Sequence, residues 1–264
     1  MKIKTKIYKI ISKNSWIRFL LGEKSYSRKH AKYIRYILSK NLTVRSGPFA
    51  GMLYPYAESV GSSFSPKILG SYEKEISDLI EQLCTEDYTE VVDIGCAEGY
   101  YVVGLAMRLE KVKVFGFDTN SRAIELCKEM AKINNVEKRI VLGEFCDQTT
   151  LKSLPLKRAL IVCDCEGYEK ELFTDNIASA LINHDLLIEV HDLIDPTISS
   201  HLRSVFKNTH TIDVYSSISN SEKALTYSYN ELNGLPLSVK EKVLSEGRRA
   251  IMEWFYLKPK KVAC

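Results

Sequence analysis

The 264-residue chain has no apolar run approaching the ~20 residues that a membrane span requires. Its start, from Met1 to Tyr8, alternates lysine with apolar residues and lacks the continuous apolar core of a secretory leader. Seven cysteines, at 84, 96, 127, 146, 163, 165 and 264, include no C-x-x-C pair. Their odd number and wide spacing speak against a disulfide frame or a zinc site, and for reduced, buried thiols in a cytoplasmic protein. Cys163-x-Cys165 lacks the loop spacing of zinc ligands and reads as strand packing. No internal repeat is present. Acids are almost missing from one region: residues 1–46 contain 13 Lys/Arg and a single acid, Glu23, for a net +12. The remaining residues hold 24 basic and 32 acidic side chains, a net −8, so the overall +4 conceals an acidic body with a basic arm. With 45% hydrophobic and 27% charged residues, a wholly disordered chain is excluded.

What is there is an alternation of strand-like and helix-like segments from about residue 89. Apolar, β-branched runs predict strands at Thr89–Gly95, Lys113–Asp118, Arg139–Phe145, Ala159–Cys165, Asp185–His191, Thr211–Tyr215 and Ile251–Leu257. Helical spacing falls between them, at Tyr100–Leu109, Ser121–Asn134, Thr149–Leu154, Tyr168–Asp175, Pro196–Phe206 and Ser238–Glu246. The fold class is therefore α/β: a doubly wound, seven-stranded, mostly parallel sheet with a basic helical N-terminal extension. In such sheets the ligand sits beyond the carboxyl ends of the strands. Residues 43–71, rich in Gly, Pro and Ser, read as a hairpin around Gly47-Pro48 and then a loop; a helix from Tyr72 to Leu83 follows. A loop of that length in a compact domain is more often functional than filler.

The strongest motif is Val91-Val-Asp-Ile-Gly-Cys-Ala-Glu-Gly99, a strand ending in Gly-x-x-x-Gly with a helix starting at once. Glycine permits the sharp turn and close approach of a ligand, and amides at the new helix N-terminus point at it. A dinucleotide site would need G-x-G-x-x-G. Here Glu98 stands between the glycines, which disfavours a phosphate and suits a ligand with a cationic centre. Asp118 ends the second strand, the position that bonds a ribose hydroxyl in nucleoside-binding sheets. Glu144 and Phe145, at the end of the third strand, are placed to flank an adenine.

Together these features resemble the class I S-adenosylmethionine (SAM)-dependent methyltransferases, over roughly residues 72–264. That resemblance implies the Rossmann-like methyltransferase fold. It also places Asp93 and Gly95 under the methionine portion of SAM, with Cys96, Ala97 and Gly99 shaping the turn around it. Asp118 would hold the ribose, Glu144 or Phe145 the adenine, and Tyr72 the carboxylate end. Cys96 stands where the family often has Ala or Ser. Asp164-Cys-Glu-Gly-Tyr-Glu169 followed by Glu189-Val-His191 resembles the FkbM-type methyltransferases, a group rich in O-methylation of sugars and small hydroxylated products. The tail Arg249-x-x-Met-x-Trp-x-Tyr-x-x-Pro259 is similar to that group as well.

The chemistry fits these residue types. Positioning the nucleophile supplies much of the rate of an in-line methyl transfer, and an acceptor hydroxyl must lose its proton. His191 is the expected base. Asp164 and Glu166 are expected to orient it or hold acceptor hydroxyls, so the catalytic set is His191, Asp164 and Glu166. Asp164 and Asp192 are the acids in reach of a Mg²⁺-type ion, although strand-end carboxylates often bond only helix N-termini or substrate. Glu169 reads as a charge in the first turn of a helix. Lys67 either meets an acidic substrate or belongs to a surface loop. No Asn/Asp-Pro-Pro-Tyr/Phe follows the fourth strand, which disfavours methylation of nucleic-acid bases.

The arm carries Ile3, Ile7, Ile10, Ile17 and Leu21 at helical spacing among lysines, the pattern of an interfacial amphipathic helix. A second helix is expected over about Arg28–Ser39. Peripheral membrane contact through residues 1–25, packing onto the body or onto a second subunit of a homodimer, and nucleic-acid binding all fit a basic arm; the last lacks an accompanying aromatic platform. The expected organisation is an arm over 1–45, a hairpin and loop over the active site at 46–71, and a SAM-binding domain over 72–264. The expected activity is O-methylation of a glycan or glycan-like small molecule in the cytoplasm, with the inner face of the membrane as a further location. An RNA or protein acceptor, or a SAM-binding protein without catalysis, is the alternative.

Overall fold

The computed structural model describes residues 23–260. Short apolar runs form the middle of its sheet. Strand β1 (Glu90–Ile94), β4 (Ala159–Cys163) and β5 (Asp185–Val190) are buried along their whole length, as expected of strands covered on both faces. Around them lie β2 (Lys113–Phe117), β3 (Ile140–Gly143), β6 (His210–Ser216) and β7 (Glu253–Pro259). The order is β3-β2-β1-β4-β5-β7-β6. β1 pairs in parallel with both β2 and β4, and β4 with β5, whereas β7 enters antiparallel between β5 and β6. The chain reverses its direction of winding between β1 and β4, and a crevice opens at the carboxyl ends of strands at such a point.

The seven strands lie where the apolar runs place them. On one face pack α1 (Glu23–Leu38), the hairpin closed by the Thr43–Leu53 bridge, α3 (Ser77–Leu83), α4 (Tyr100–Arg108) and α5 (Ser121–Ile133). On the other lie α6 (Gln148–Ser153), α7 (Glu169–Leu172), α8 (Asp175–Ala180) and α9 (Ile198–Phe206). The helix expected over Tyr168–Asp175 is instead α7 and α8, broken where Phe173 and Thr174 turn to extended backbone. The segment expected as loop contains α2 (Phe64–Leu69), stopped by Gly70 at φ +77°. The helix expected over Tyr72–Leu83 begins as a single 3₁₀ turn at Lys74–Ile76. Helix α10 (Asn220–Thr226), capped by the Ser219 hydroxyl, precedes α11 (Leu237–Leu244).

Helix α1 is part of this body. Tyr26, Ala31 and Leu38 are buried in the same core as β1, the Arg35 guanidinium donates to the Lys242 carbonyl at 2.6 Å, and Ser27 bonds Ser238. The hairpin is seated on α4 at Gly104, where a Cβ would meet the Phe49 ring at 2.4 Å. The amphipathic stretch from Ile3 to Leu21 lies outside the described residues. No helix among those described is long and apolar enough to cross a membrane. The described cysteines are all free, and Cys96, Cys127, Cys146 and Cys163 are buried.

Candidate functional site

A cavity of about 820 Å³ opens at the carboxyl ends of β1, β2, β4 and β5. Its size lies within the range of small-molecule sites. Gly95, at φ +87°, makes its floor possible: a Cβ there would stand 1.7 Å from the Asp164 carbonyl oxygen, so only glycine lets β1 and β4 part at this distance. Ala97 adopts left-handed backbone (φ +46°), and its amide donates to Asp118 Oδ2 at 2.8 Å. Asp118 Oδ1 accepts the Asn120 amide at 2.8 Å. Two backbone donors thus fix this carboxylate at the rim, and each oxygen has a second lone pair. Glu144 and Phe145 line the same end of the cavity, and the half-exposed Phe145 ring lies 5.2 Å from that of Tyr168. Gly95, Ala97, Asp118, Glu144, Phe145 and Tyr72 all line the cavity.

Other members of the first motif do not line it. Asp93 is buried within β1, where burial pushes its carboxyl well above the usual range and the Asp164 and Asp118 carboxylates push it further. Cys96 turns into the core beside Cys127. Gly99 serves packing, since a Cβ there would meet Cys127 Sγ at 2.7 Å. Glu98 also departs from expectation. It is buried under the loop that precedes α2, where it accepts from Lys67 Nζ at 2.6 Å, the Val60 amide at 2.9 Å and the Ser59 hydroxyl at 3.0 Å. Burial alone would raise its pKa, but the Lys67 ammonium and these donors hold it below the ordinary value. Its charge is spent inside the protein and neither repels a phosphate nor attracts a cation in the cavity. Lys67 is correspondingly committed to Glu98 while its chain lines the cavity.

At the other end, the strand-four and strand-five residues converge. His191 is buried, with Nδ1 2.6 Å from Glu169 Oε1. Its Nε2 faces Asp164 Oδ1 at 3.4 Å, Glu189 Oε2 at 3.6 Å and Glu166 Oε2 at 3.7 Å. Burial lowers the imidazole pKa, but the bond to Glu169 and the charges of Asp164 and Glu166 more than offset this and leave it raised. Glu169 is therefore not a solvated helix charge: it is fully buried and fixes the histidine ring. Asp192 does not join the cluster. It lies in the turn that follows β5, and its Oδ1 accepts the Ser199 amide in the first turn of α9. Among the described residues, the clusters at metal-ligand spacing do not include Asp192.

Sequence reasoning did not single out a second charged group that walls the cavity. The Arg248 guanidinium donates to Glu246 Oε2 at 2.9 Å, to Glu73 Oε1 at 2.5 Å and to Glu189 Oε1. Glu246 also takes Lys223 Nζ at 2.7 Å, yet burial pushes its carboxyl up to about 7. Among the described residues, four non-glycine residues have positive φ, and three of them, Glu73, Ala97 and Glu166, belong to this region. Backbone held in that conformation concentrates at ligand sites.

Residues 85–214 match the family model of a methyltransferase domain. Among solved structures, the chain is similar to a precorrin-6y C5,15-methyltransferase from Geobacter metallireducens at 11% identity (71% of this chain, 91% of that one, TM-score 0.47). It is also similar to a candidate O-methyltransferase from Klebsiella pneumoniae at 11% identity (92% of this chain, 94% of that one, TM-score 0.46). An rRNA methylase from Streptococcus thermophilus matches at 15% identity (71% of this chain, 98% of that one, TM-score 0.45). A methyltransferase domain of the kind that residues 85–214 match implies SAM as methyl donor.

Proposed function

We propose that this protein is a SAM-dependent O-methyltransferase acting on a hydroxyl of a glycan or glycan-like small molecule, of the FkbM type. The observation that supports this reading is one cavity with two chemically different ends. One end offers Asp118, Phe145 and the side-chain-free turn at Gly95, which fit a nucleoside. The other offers His191 ringed by Asp164, Glu166 and Glu189, which fit a hydroxyl-bearing acceptor.

When bound, SAM supplies a methyl group on a positively charged sulfonium. Asp118 is placed to accept from the ribose hydroxyls, and Phe145 and Glu144 to flank the adenine. Tyr72 would meet the carboxylate end. The carboxylates of β4 and β5 accept from the acceptor's hydroxyls and orient one of them for in-line attack. The acceptor O–H bond breaks and its proton passes into the His191–carboxylate cluster. With SAM bound, the chemistry supplied would be methyl transfer to that oxygen, the new O–C bond replacing the C–S bond and leaving a neutral thioether. A sugar-like acceptor suits a site so rich in hydrogen-bond acceptors.

Transfer of labelled methyl from SAM into fractions of the host's own polysaccharide, RNA and protein tests the acceptor class. Label in the polysaccharide or sugar-nucleotide fraction is expected. Label confined to RNA or protein would replace this reading.

A further inference from the structure

We propose that Asp164, Glu166 and His191 form a binding site for a divalent transition-metal cation of the Mn²⁺ type, with Glu169 as the outer partner that orients the histidine. The inference rests on the acceptor end assigned above and deepens it.

The geometry comes first. One carboxylate oxygen from each of Asp164 and Glu166 and the Nε2 of His191 all lie within 4.8 Å of one another. Nε2 is 3.4 Å from Asp164 Oδ1 and 3.7 Å from Glu166 Oε2. These separations are long for hydrogen bonds. They are close to the edges of a coordination polyhedron, since ligands at about 2.1 Å from an ion stand about 3.0–3.5 Å apart.

Unpaired atoms supply a second observation. The His191 side chain is 6% exposed, and its hydrogen bond is made through Nδ1. Asp164 Oδ1, the oxygen nearest to Nε2, is buried without a hydrogen-bond partner. Asp164 Oδ1 therefore confronts Nε2 at 3.4 Å, across a gap that no hydrogen bond fills. A buried polar atom of this kind calls for a partner. The Nδ1–Glu169 contact is the arrangement by which a carboxylate fixes the ring of a ligating histidine and raises its basicity.

Charge separates this cluster from its neighbour. Glu73, Asp164 and Glu189 also approach within ligand spacing, but Arg248 already donates to both Glu73 and Glu189. Asp164, Glu166 and Glu169 have no arginine or lysine ion pair among the described residues; His191 approaches all three, and the Arg248 and Lys67 charges reach Asp164 only from beyond ion-pair distance. A mixed imidazole and carboxylate set suits Mn²⁺ or a similar ion better than Mg²⁺, which prefers oxygen alone. An acceptor hydroxyl bound to the cation would have a lowered pKa. His191 then serves as ligand rather than base.

The test titrates Mn²⁺ into chelator-stripped full-length protein and follows the free-ion signal by electron paramagnetic resonance. Binding of S-adenosylhomocysteine to the same samples is measured by calorimetry. Wild-type protein should take up one Mn²⁺ per chain. Glu166→Gln changes a side chain that is 74% exposed, so the fold is kept, and it should weaken Mn²⁺ binding about tenfold or more. Asp192→Asn should bind Mn²⁺ like wild type. A sample that binds the nucleoside but takes up no Mn²⁺, or equal Mn²⁺ affinity in wild type and Glu166→Gln, overturns the metal site and leaves the methyltransferase reading standing. Mn²⁺ uptake without nucleoside binding supports the site and removes that reading instead.

Discussion

At the scale of single residues, the site depends on backbone positions as much as on functional groups. Gly95 is the clearest case. Alanine at this position combines a left-handed φ with a Cβ 1.7 Å from a carbonyl oxygen, so β1 and β4 must separate. Gly95→Ala should lower the melting temperature sharply and abolish nucleoside binding, as read by thermal denaturation and calorimetry. Asp93 makes a different prediction. Its carboxyl is buried, Oδ2 has no partner, and its folded pKa lies well above the unfolded value. A raised folded pKa gives stability that is full below the unfolded carboxylate pKa and is lost as pH rises through the folded one. Wild-type stability should therefore fall relative to Asp93→Asn as pH rises from about 4. Denaturant titrations of both proteins at pH 4, 6 and 8 check this, and a constant difference would show that Asp93 does not titrate anomalously.

At the scale of elements, the sequence discloses what its local pattern controls. Seven strands were legible because each is a run rich in apolar β-branched, leucine or aromatic residues, and Gly95, Ala97 and Asp118 were found at the rim from their places at or just past strand ends. The antiparallel entry of β7 was not legible, since an apolar run such as Trp254-Phe-Tyr-Leu257 is the same in either direction. Helices α2 and α10, six and seven residues long, were not legible; α2 lies in a Gly-, Pro- and Ser-rich stretch that reads as loop. The Glu73–Arg248 pair joins residues 175 apart, so no spacing could announce it. Glu169 was underestimated for a related reason: its acid lies in a first helical turn, and only the fold brings His191 to it. The loop before α2 yields a further prediction. Lys67 and Glu98 tie it to the turn after β1 through a buried pair. Lys67→Met leaves Glu98 buried without its counter-charge, at a cost of about 3–5 kcal/mol. The double change Lys67→Met with Glu98→Gln should recover part of that loss in denaturant unfolding.

At the scale of the whole molecule, the charge asymmetry does not coincide with a structural boundary. The basic region extends to residue 46, yet α1 within it contributes Tyr26, Ala31 and Leu38 to the main core. The structural reading therefore places α1 with the acidic body. Deletion of residues 1–45 should destabilise the domain through lost core side chains, which a cut ending before Glu23 spares. Comparing thermal melts of the two truncated proteins checks this, and equal melting temperatures would contradict it. At the cavity, Lys67 and Arg248 are both committed to carboxylates. All of this presupposes that the crevice between β1 and β4 receives the adenosyl group of SAM. Calorimetric titration of S-adenosylhomocysteine into the wild-type protein and Asp118→Ala tests that most directly. One nucleoside bound per wild-type chain, with binding lost in the variant, is the predicted result; a folded wild-type protein that binds none would contradict it.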